Sequence, residues 1–428
     1  MHRVLLAIAM ILPLLATDAL ARQAQPASLF LSSLGVNTHN DQGYNASPYV
    51  AMLRYTGIRA VRDGGRNLLN LIRLHQQTGA LFNIYTGCDV RRTLDAARAL
   101  AHANALLSVE GPNEPNNFPI SFNGQKGGGN AGSWLPVANC QAALYAGVKR
   151  DATLKNYPVF HVSEGGAEVD NVGMQFLAVP QGANIKVADG TKFADYANPH
   201  NFVSGHVGDY IDNMPWSAAD PILNGPWDGL YAEYGRTWRG GFLGYSQAEL
   251  QTLPRVTTET GWDSRSDKGG ETVQAKILSN VYLAQFARGW RYTFIYQLVD
   301  AEGSVDNDGL YRKDHSPKPA ADYIHALTTI LADKGAIGTP GSLDYTIANQ
   351  PGTVHDLLLQ KANGTFALVI WGEQARGSNN ITVQLGVKAA TVRIYDISRG
   401  ADPQQQLSNV QSLPLTISDH AVIIEMSR

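Results

Sequence analysis

The chain has 428 residues, of which 44% are hydrophobic and 17% charged, and its formal net charge is −3. This composition supplies enough apolar side chains for a large core and excludes a disordered chain or a coiled coil. The sequence has no long block of like charges, which argues against nucleic acid or an anionic membrane surface as the main partner.

The first residues have the pattern of a secretory signal peptide. A basic start, Met1-His2-Arg3, precedes an apolar run to Leu15, and Ala19-Leu20-Ala21 is a small-x-small cleavage site. The apolar run is too short to span a bilayer, and no later segment has the roughly 20 apolar residues that a membrane helix needs. We therefore expect residues 1–21 to be removed and the protein to be secreted or periplasmic, without a membrane anchor.

From residue 34 onward, short apolar strands alternate with amphipathic helices. The candidate strands are Leu34–Val36, Ile58–Arg62, Leu81–Tyr85, Leu106–Glu110, Val159–Ser163, Phe193–Ala197, Val256–Glu259 and Tyr292–Gln297. Strands that alternate with helices predict βα units around a parallel sheet, and the number and spacing of these units match a (β/α)8 TIM barrel. A doubly wound dinucleotide-binding sheet is disfavoured, because no G-x-G-x-x-G follows the first strand.

Two long segments follow predicted strands, on the face where barrel enzymes build their sites. Asn116–Ser133 is rich in Gly and Asn, which predicts a mobile loop. Met214–Leu243 is either a ligand wall or a hydrophobic flap packed on the barrel. The aromatic residues of this second segment are Trp216, Trp227, Tyr231, Tyr234 and Trp238.

The sequence after residue 334 changes character. A Gly/Pro-rich break precedes short alternating strands with no helical pattern between them, and Asn363-Gly364 is a hairpin turn signal. The candidate strands here are Val354–Lys361, Thr365–Trp371, Ile381–Leu385, Ala390–Asp396 and Ala421–Glu425. This pattern predicts a small all-β, sandwich-like accessory domain over residues 335–428, after a catalytic barrel over residues 28–334. We expect this domain to brace the barrel, with glycan binding as the alternative, and its closing strand to be able to pair with the mature N-terminus.

The chain contains two cysteines, Cys88 and Cys140. In an oxidising compartment an even count permits one disulfide. Cys88 follows a predicted strand and Cys140 opens a predicted helix, so a bond between a loop and a helix is one interpretation. Two unpaired buried cysteines are the other.

Two short motifs stand at the ends of predicted strands four and seven. The fourth strand runs into Gly111-Pro112-Asn113-Glu114-Pro115, and the seventh into Thr258-Glu259-Thr260-Gly261-Trp262. Strands four and seven of a barrel face each other across its mouth, so the two carboxylates can meet over one cleft. Hydrolysis of a glycosidic bond uses such a pair, one as a protonated acid and one as an ionised carboxylate. Repulsion between close carboxylates predicts a raised pKa for the acid.

The Asn-Glu pair after strand four and the lone Glu at strand seven resemble clan A of the glycoside hydrolases, which are retaining enzymes on a TIM barrel. The resemblance implies that Glu114 is the acid/base, that Glu259 is the nucleophile and that Asn113 binds the 2-hydroxyl of the reacting sugar. An Arg at the end of strand two that hydrogen-bonds the clan's nucleophile corresponds to Arg62. A recurrent His near the end of strand six corresponds to His200.

The resemblance continues past strand eight. Gly309-Leu310-Tyr311-Arg312 and Ser316-Pro317-Lys318-Pro319-Ala320-Ala321 are similar to the sequence that leads many clan members into their last helix. The sandwich-like tail resembles families five, thirty and thirty-nine. Many clan members carry Trp at the end of strand eight, where this chain has Tyr296-Gln297. The aromatic floor below the reacting sugar is therefore expected from Tyr296 or Trp262, with core packing as the alternative for Trp262.

Several polar residues near the strand ends also have a structural interpretation. Glu110, the nearest rival carboxylate, is expected inside the barrel, paired with an Arg. Arg62 is alternatively a partner of Asp63 or Glu110. His39, after strand one, is either a sugar contact or a packed histidine, and His200 is alternatively a supporting histidine behind the site.

No metal or cofactor is expected. The sequence has neither H-x-H after the first strand nor H-E-x-x-H, and the calcium-like Asp306-Asn307-Asp308-Gly309 lacks carboxylates at Ser304 and His315. No predicted strand ends on a Lys, which disfavours a Schiff-base aldolase. The expected partner is a carbohydrate substrate, and the protein is expected to be a monomer. A non-catalytic carbohydrate-binding barrel and a transglycosylase are the alternative functions.

Overall fold

The computed structural model describes residues 21–129, 132–165, 176–203, 210–223, 245–301, 307–335 and 338–427. Its helices are α1 (Ala27–Ser33), α2 (Tyr49–Thr56), α3 (Leu68–Thr78), α4 (Val90–His102), α5 (Leu135–Arg150), α6 (Met214–Ala218), α7 (Gln247–Thr252), α8 (Gly270–Ala287) and α9 (Pro319–Ile330). Its strands are β1 (Arg22–Gln23), β2 (Gln25–Pro26), β3 (Leu34–Asn37), β4 (Ala60–Gly64), β5 (Leu81–Tyr85), β6 (Leu106–Glu110), β7 (Ile120–Phe122), β8 (Gln125–Gly127), β9 (Val159–Phe160), β10 (Thr257–Thr260), β11 (Thr293–Ile295), β12 (Ser342–Leu343), β13 (Tyr345–Ala348), β14 (Val354–Gln360), β15 (Phe366–Gly372), β16 (Asn379–Asp396), β17 (Gln405–Ile417) and β18 (Ala421–Ser427).

A curled, seven-stranded parallel sheet forms the first half of the molecule, in the order β10–β11–β3–β4–β5–β6–β9. The predicted strand Phe193–Ala197 is reduced to isolated parallel bridges, one from Tyr196 to Phe160 and one from Ala197 to Arg255. This segment therefore lies between the two edge strands of the sheet. The core packs between the sheet and the helices around it, with side chains such as Val36, which is fully buried.

Local sequence explains where the surrounding helices begin and end. α4 starts after Asp89, whose side chain accepts a hydrogen bond of 3.0 Å from the backbone N–H of Arg92. α3 ends at Gly79, which has φ of +74°, a conformation that glycine adopts without strain. Leu71 and Leu74 of α3 are buried at helical spacing, so one face of this helix packs on the core.

A second sheet follows, in the order β13–β16–β18–β15–β14–β2, with β17 paired to β16. The predicted strands Ile381–Leu385 and Ala390–Asp396 are parts of the single strand β16, whose pairing with β17 shifts register between Gln384 and Ala389. β17 was not predicted. Most of its side chains are exposed, so it lacks the apolar alternation that marks a half-buried strand.

The start of the described chain pairs with strands of the second half of the molecule, in a small separate sheet through β1 and in the second sheet through β2. β1 pairs with β12, and β2 pairs in parallel with β14. The closing strand β18 instead lies between β15 and β16. An ion pair of 2.6 Å between Lys276 of α8 and Asp419 adds a link between the two halves of the molecule.

The described part of the aromatic segment packs on this second sheet. The Trp216 ring stacks on His355 with centroids 4.0 Å apart, and its backbone N–H donates to Glu373 over 2.7 Å. The guanidinium of Arg288 lies 4.1 Å from the Trp216 ring centroid. Trp216 therefore packs as a flap rather than as a ligand wall. The other aromatic residues of the segment, Trp227, Tyr231, Tyr234 and Trp238, lie outside the described residues, as does most of the predicted signal peptide.

Cys88 and Cys140 form a disulfide, with Cα atoms 5.7 Å apart and a sequence separation of 52. The bond joins the loop after β5 to α5, which confirms the disulfide interpretation. Cys140 lies within α5 rather than at its start, because the helix begins at Leu135. The Gly-rich segment expected as a mobile loop contains the hairpin β7–β8. Within the described part of the chain, no helix has the length and apolar character needed to cross a membrane.

Candidate active site

The polar residues predicted for the site gather at the carboxyl edge of the parallel sheet. Asn113 and Glu114 follow β6, and Glu259 lies on β10. Isolated parallel bridges join Asn113 to Ser163 and His200 to Glu259. Carboxyl ends of parallel strands meet at one edge, so residues far apart in sequence face a common space.

The carboxylates of Glu114 and Glu259 both lie close to Nδ1 of His200. One oxygen from each carboxylate and one ring nitrogen of His200 all lie within 4.8 Å of one another. The Glu114 and Glu259 side chains are 15% and 13% exposed, whereas that of His200 is fully buried. Solvent, and hence a substrate, reaches the two carboxylates but not the imidazole beside them.

Arg62 connects the acidic groups of the site. Its buried guanidinium lies 2.6 Å from Glu259 Oε1, donates to Asn113 Oδ1 over 2.6 Å and bonds both oxygens of Glu110 at 2.8 Å. It also packs over Tyr85, with 4.3 Å from the guanidinium carbon to the ring centroid. Arg62 thus places a positive charge directly against Glu259.

Glu110 is an internal partner of Arg62 and not a residue of the cleft. It is fully buried, its Oε2 also accepts a hydrogen bond from Asn83, and its Oε1 lies 3.0 Å from the hydroxyl of Thr258. Arg62 and Asn83 donate to the carboxylate, so both of its oxygens are hydrogen-bonded within the protein interior. The sequence-based interpretation of Glu110 as a buried Arg partner is confirmed.

The protonation expected for Glu114 was wrong. Repulsion from Glu259 predicted a raised pKa, and burial also acts in that direction. The Nδ1 atom of His200, 2.7 Å from Glu114 Oε1, outweighs both effects, with help from Asn117, and lowers the pKa of Glu114 to about 2. His200 is 3.6 Å from Glu259 Oε2, so it is the nearer partner of Glu114.

Two neighbours of Glu114 were missed from sequence. The Asn117 amide donates to Glu114 Oε2 over 2.9 Å, and the backbone N–H of Asn117 bonds the Glu114 carbonyl over 2.9 Å. Gly165 packs so closely that a Cβ there would lie 3.3 Å from Glu114 Oε1. The contact of Asn117 with Glu114 could have been found from sequence, because the two residues are three apart in one turn. The contact of Gly165 could not, because only the fold brings Gly165 close to Glu114.

The aromatic residues divide between the site and the core. Tyr296 is half-buried beside the site, where burial and then the charge of Glu259 raise its pKa. Its ring contacts His39 with centroids 5.4 Å apart. Trp262, the other candidate for the aromatic floor, is fully buried and donates to the Lys268 carbonyl over 3.0 Å. Trp262 therefore exposes no ring face to a sugar. The structure supports the alternative interpretation, in which Trp262 packs in the core.

His39 belongs to the loop after β3, and its ring contacts Tyr296. Burial and then the charge of Arg62 lower the pKa of His39 to about 4, so the ring is neutral at neutral pH. Its Nδ1 lies 3.0 Å from the Gln42 amide. The carboxylate of Asp63, next to Arg62, accepts from the backbone N–H groups of Asn40 and Asp41 and fixes this loop. His39 is thus held at the rim, beside Tyr296.

A cavity of about 470 Å³ adjoins this rim. Its lining includes Tyr44, Tyr49, Asp300 and Lys313. The Tyr44 ring contacts His39 with centroids 5.8 Å apart, so the cavity continues outward from the aromatic side of the site. Hydroxyl and charged groups beside aromatic rings are suited to binding a polyhydroxylated ligand.

Within the described ranges, one group of acidic and histidine side chains is spaced closely enough to hold a metal ion. It consists of Glu114, His200 and Glu259. Arg62 already places a cation against Glu259, and His200 already bonds Glu114. Both carboxylates of the group therefore already have a partner within the protein.

Lys318, from the Pro-Lys-Pro motif before α9, supports the site from behind. Its buried ammonium bonds Asp300 at 2.8 Å, the Ser264 hydroxyl at 2.9 Å and the Asn307 carbonyl at 2.9 Å. These contacts tie the segment after β10 to the segment after β11. The motif is therefore structural in this chain.

No protein-family model and no curated protein matches the sequence. Solved structures do match in fold. A family 39 glycoside hydrolase from Bacteroides cellulosilyticus WH2 aligns with TM-score 0.56 and 17% identity over 94% of this chain and 81% of its own. A family 30 subfamily 8 xylanase from Clostridium acetobutylicum aligns with TM-score 0.55 and 10% identity over 95% of this chain and 97% of its own.

A GH51 arabinofuranosidase from Xanthomonas axonopodis pv. citri aligns with TM-score 0.56 and 11% identity, over 96% of this chain and 98% of its own. These three neighbours are all clan A glycoside hydrolases. Each alignment covers both halves of the chain described above. These alignments show that this chain is similar in fold to the clan A glycoside hydrolases, with a curled parallel sheet followed by a second β-sheet.

Proposed function

We propose that the protein is a retaining glycoside hydrolase that cleaves O-glycosidic bonds of a poly- or oligosaccharide. The observation that carries the proposal is the approach of Glu114 and Glu259 to within 4.8 Å at the sheet's carboxyl edge, with Arg62 against Glu259. Carboxyl groups of retaining enzymes are about 5–5.5 Å apart, whereas those of inverting enzymes are about 6.5–9.5 Å apart. The observed spacing supports the retaining class.

In the first step, Glu259 attacks the anomeric carbon while Glu114 protonates the departing oxygen. The bond to the leaving group breaks, and a glycosyl ester forms on Glu259. In the second step, Glu114 removes a proton from water, the water attacks the anomeric carbon, and Glu259 leaves as a carboxylate. Because Asn113 Oδ1 accepts from Arg62, its amide nitrogen is the group that would donate to the sugar 2-hydroxyl.

The remaining parts of the proposal follow the sequence expectations. Residues 28–334 form the catalytic (β/α)8 barrel, in which the bridges at Tyr196 and Ala197 take the place of a full sixth strand. Residues 335–428 form a β-sandwich-like domain that braces it. Residues 1–21 are a signal peptide, and the mature enzyme is a secreted or periplasmic monomer. His39 and Tyr296 lie beside the reacting sugar, and the buried His200 supports Glu114, without a metal or cofactor.

The test compares Glu114→Ala with Glu259→Ala on two kinds of substrate. Xylan and arabinan fragments come first, because neighbours include a xylanase and an arabinofuranosidase. Both variants should lose at least 100-fold in kcat/KM on such glycans. On an aryl glycoside whose phenolate leaves without protonation, Glu114→Ala should keep a rapid first step, whereas Glu259→Ala should stay inactive.

The matched control is Glu249→Gln. Glu249 is exposed at the start of α7, where Gln preserves its capping interaction with Ser246. This variant should keep wild-type kinetics. Near-normal hydrolysis by either site variant would overturn the assignment, as would failure of the wild-type enzyme to release sugar from any member of a broad glycan panel.

A further inference from the structure

The hydroxyl of Thr258, the residue before Glu259, meets three polar groups inside the barrel. Its Oγ1 lies 3.0 Å from Glu110 Oε1, 3.0 Å from Asn198 Oδ1 and 3.0 Å from His200 Nε2. Thr258 is fully buried, so water does not substitute for any of these partners. The directions of the three hydrogen bonds are therefore fixed by the chemistry of the groups.

Two of the three partners accept hydrogen bonds only. Glu110 is a carboxylate paired with Arg62. The orientation of the Asn198 amide is also fixed, because its nitrogen donates to the His161 carbonyl over 3.1 Å and its oxygen accepts from the Thr258 N–H over 3.1 Å. A hydroxyl has one proton, which goes to one of these two oxygens. Toward His200 the hydroxyl can therefore only accept, and Nε2 must carry a hydrogen.

This tautomer determines whether a proton lies between His200 Nδ1 and Glu114 Oε1. With Nε2 protonated, a neutral imidazole would point the lone pair of Nδ1 at Glu114 Oε1, 2.7 Å away. A lone pair facing an ionised carboxylate at that distance is repulsive. One proton must therefore lie between the two atoms, either on Nδ1 of a histidinium or on Oε1 of a carboxylic acid.

We infer that Thr258 is a positioning residue that fixes the tautomer of His200 and thereby retains, on the Glu114–His200 pair, the proton that Glu114 delivers to the leaving group. The last part of this inference rests on the proposed glycosidase function, whereas the tautomer does not. The pair accounts for the finding that His200 lowers the pKa of Glu114, since in the resting state the shared proton lies toward Nδ1.

The proton transfer balances within the pair. The Nδ1–H bond breaks and an Oε1–H bond forms, so that histidinium and carboxylate become neutral imidazole and carboxylic acid. Glu114 then gives a proton to the leaving oxygen, and in the second step it recovers one from the attacking water. His200 keeps its hydrogen on Nε2 throughout, bonded to Thr258.

The surroundings of His200 support a retained proton. Glu114 and Glu259 face its Nδ1, and Glu110 lies behind Thr258. Arg62, the nearby cation, is bound to Glu110 and Glu259. The backbone N–H of His200 donates to the carbonyl of Glu164 on the neighbouring segment over 3.0 Å. Carboxylates thus outnumber cations around the imidazole, so a proton held on the Glu114–His200 pair has opposite charges beside it.

The test is the pH profile of kcat/KM for Thr258→Val and Thr258→Ser. Valine matches threonine in shape but offers no acceptor, so the neutral ring can place its hydrogen on Nδ1 and give up the shared proton more readily. The alkaline limb should move to lower pH by about one unit, with the plateau at lower pH retained within a few-fold. Thr258→Ser keeps the hydroxyl and should follow the wild-type profile. A loss of activity that is equal at all pH values would show a merely structural role and overturn the inference.

A second measurement keeps the inference testable should Thr258→Val fail to fold. Nitrogen NMR of ¹⁵N-histidine-labelled wild-type protein, with His200 assigned by its absence in His200→Gln, should show a protonated Nε2 across the pH range of stability. A signal from a Nε2 without hydrogen would overturn the tautomer. A protonated Nε2 in a protein that hydrolyses no glycan would instead leave the tautomer standing and contradict the proposed function.

Discussion

Glu110 holds Arg62 in place in the protein interior, and removing the charge of Glu110 gives a prediction with a defined magnitude. Burial opposes the charged form of Arg62, but Glu110 and Glu259 outweigh it and raise the pKa of the guanidinium. Both oxygens of Glu110 lie 2.8 Å from Arg62 nitrogens, and both groups are almost completely buried. Glu110→Gln therefore leaves a buried cation with one of its two carboxylate partners.

Breaking a buried ion pair by neutralising one member costs about 3–5 kcal/mol of unfolding free energy. Since Glu259 still faces Arg62 and glutamine retains one acceptor oxygen, we expect the lower end of this range, about 3 kcal/mol. Each Glu110 oxygen faces an Arg62 donor, and Oε2 also faces Asn83, so the glutamine NH2 group would meet a donor in either orientation and cannot simply replace the carboxylate. The cost should thus remain even though the side chains have equal size.

Urea unfolding, followed by tryptophan fluorescence and circular dichroism, measures this change. Glu249→Gln, at an exposed position, is the control and should unfold at the wild-type midpoint. The activity of Glu110→Gln should also fall at a temperature where the protein remains folded, because Arg62 no longer holds the side chains of Glu259 and Asn113 in position. A loss of unfolding free energy below about 1 kcal/mol would show that Glu110 does not anchor Arg62.

Two further predictions concern stability. Replacing Cys88 and Cys140 with Ser should lower the unfolding free energy by up to about 4 kcal/mol, because the disulfide closes a loop with a 52-residue separation; an unchanged denaturation midpoint would contradict this. Burial opposes the charge on His420, but Asp396 and Asp419 raise its pKa from 6.5 to about 9, so its stabilising effect is complete below pH 6.5 and is lost as pH rises to about 9. His420→Asn should flatten the pH dependence of stability in that window, and an unchanged slope would show that another group titrates there.

The sequence allowed the sheet and the main polar residues to be predicted for a physical reason. Glu114 follows one short apolar strand and Glu259 lies at the end of another, and parallel strands place their carboxyl ends at one edge. The resemblance to clan A, rather than this reasoning, pointed to Arg62 and His200. Trp262 could not be placed in this way, because an aromatic residue after a strand can turn either into the cleft or into the core, and the fold buries it.

The protonation of the site lay beyond the sequence. Two neighbouring carboxylates predict a raised pKa, but the effect reverses once a buried histidine lies beside them. That position depends on His200 bonding Glu114 at one nitrogen and Thr258 at the other. No local pattern around His200 specifies these distances.

The strand β17 was not predicted for a different reason, because its exposed side chains show little apolar periodicity.

The central claim is that Glu259 attacks the anomeric carbon while Glu114 serves as acid and base. The most direct measurement traps the covalent intermediate with a 2-fluoro aryl glycoside of a sugar that the wild-type enzyme releases. Intact mass should rise by one fluoroglycosyl group, and peptide mapping should place it on Glu259. Label on Glu114, or complete inactivation with no covalent adduct, would contradict the account.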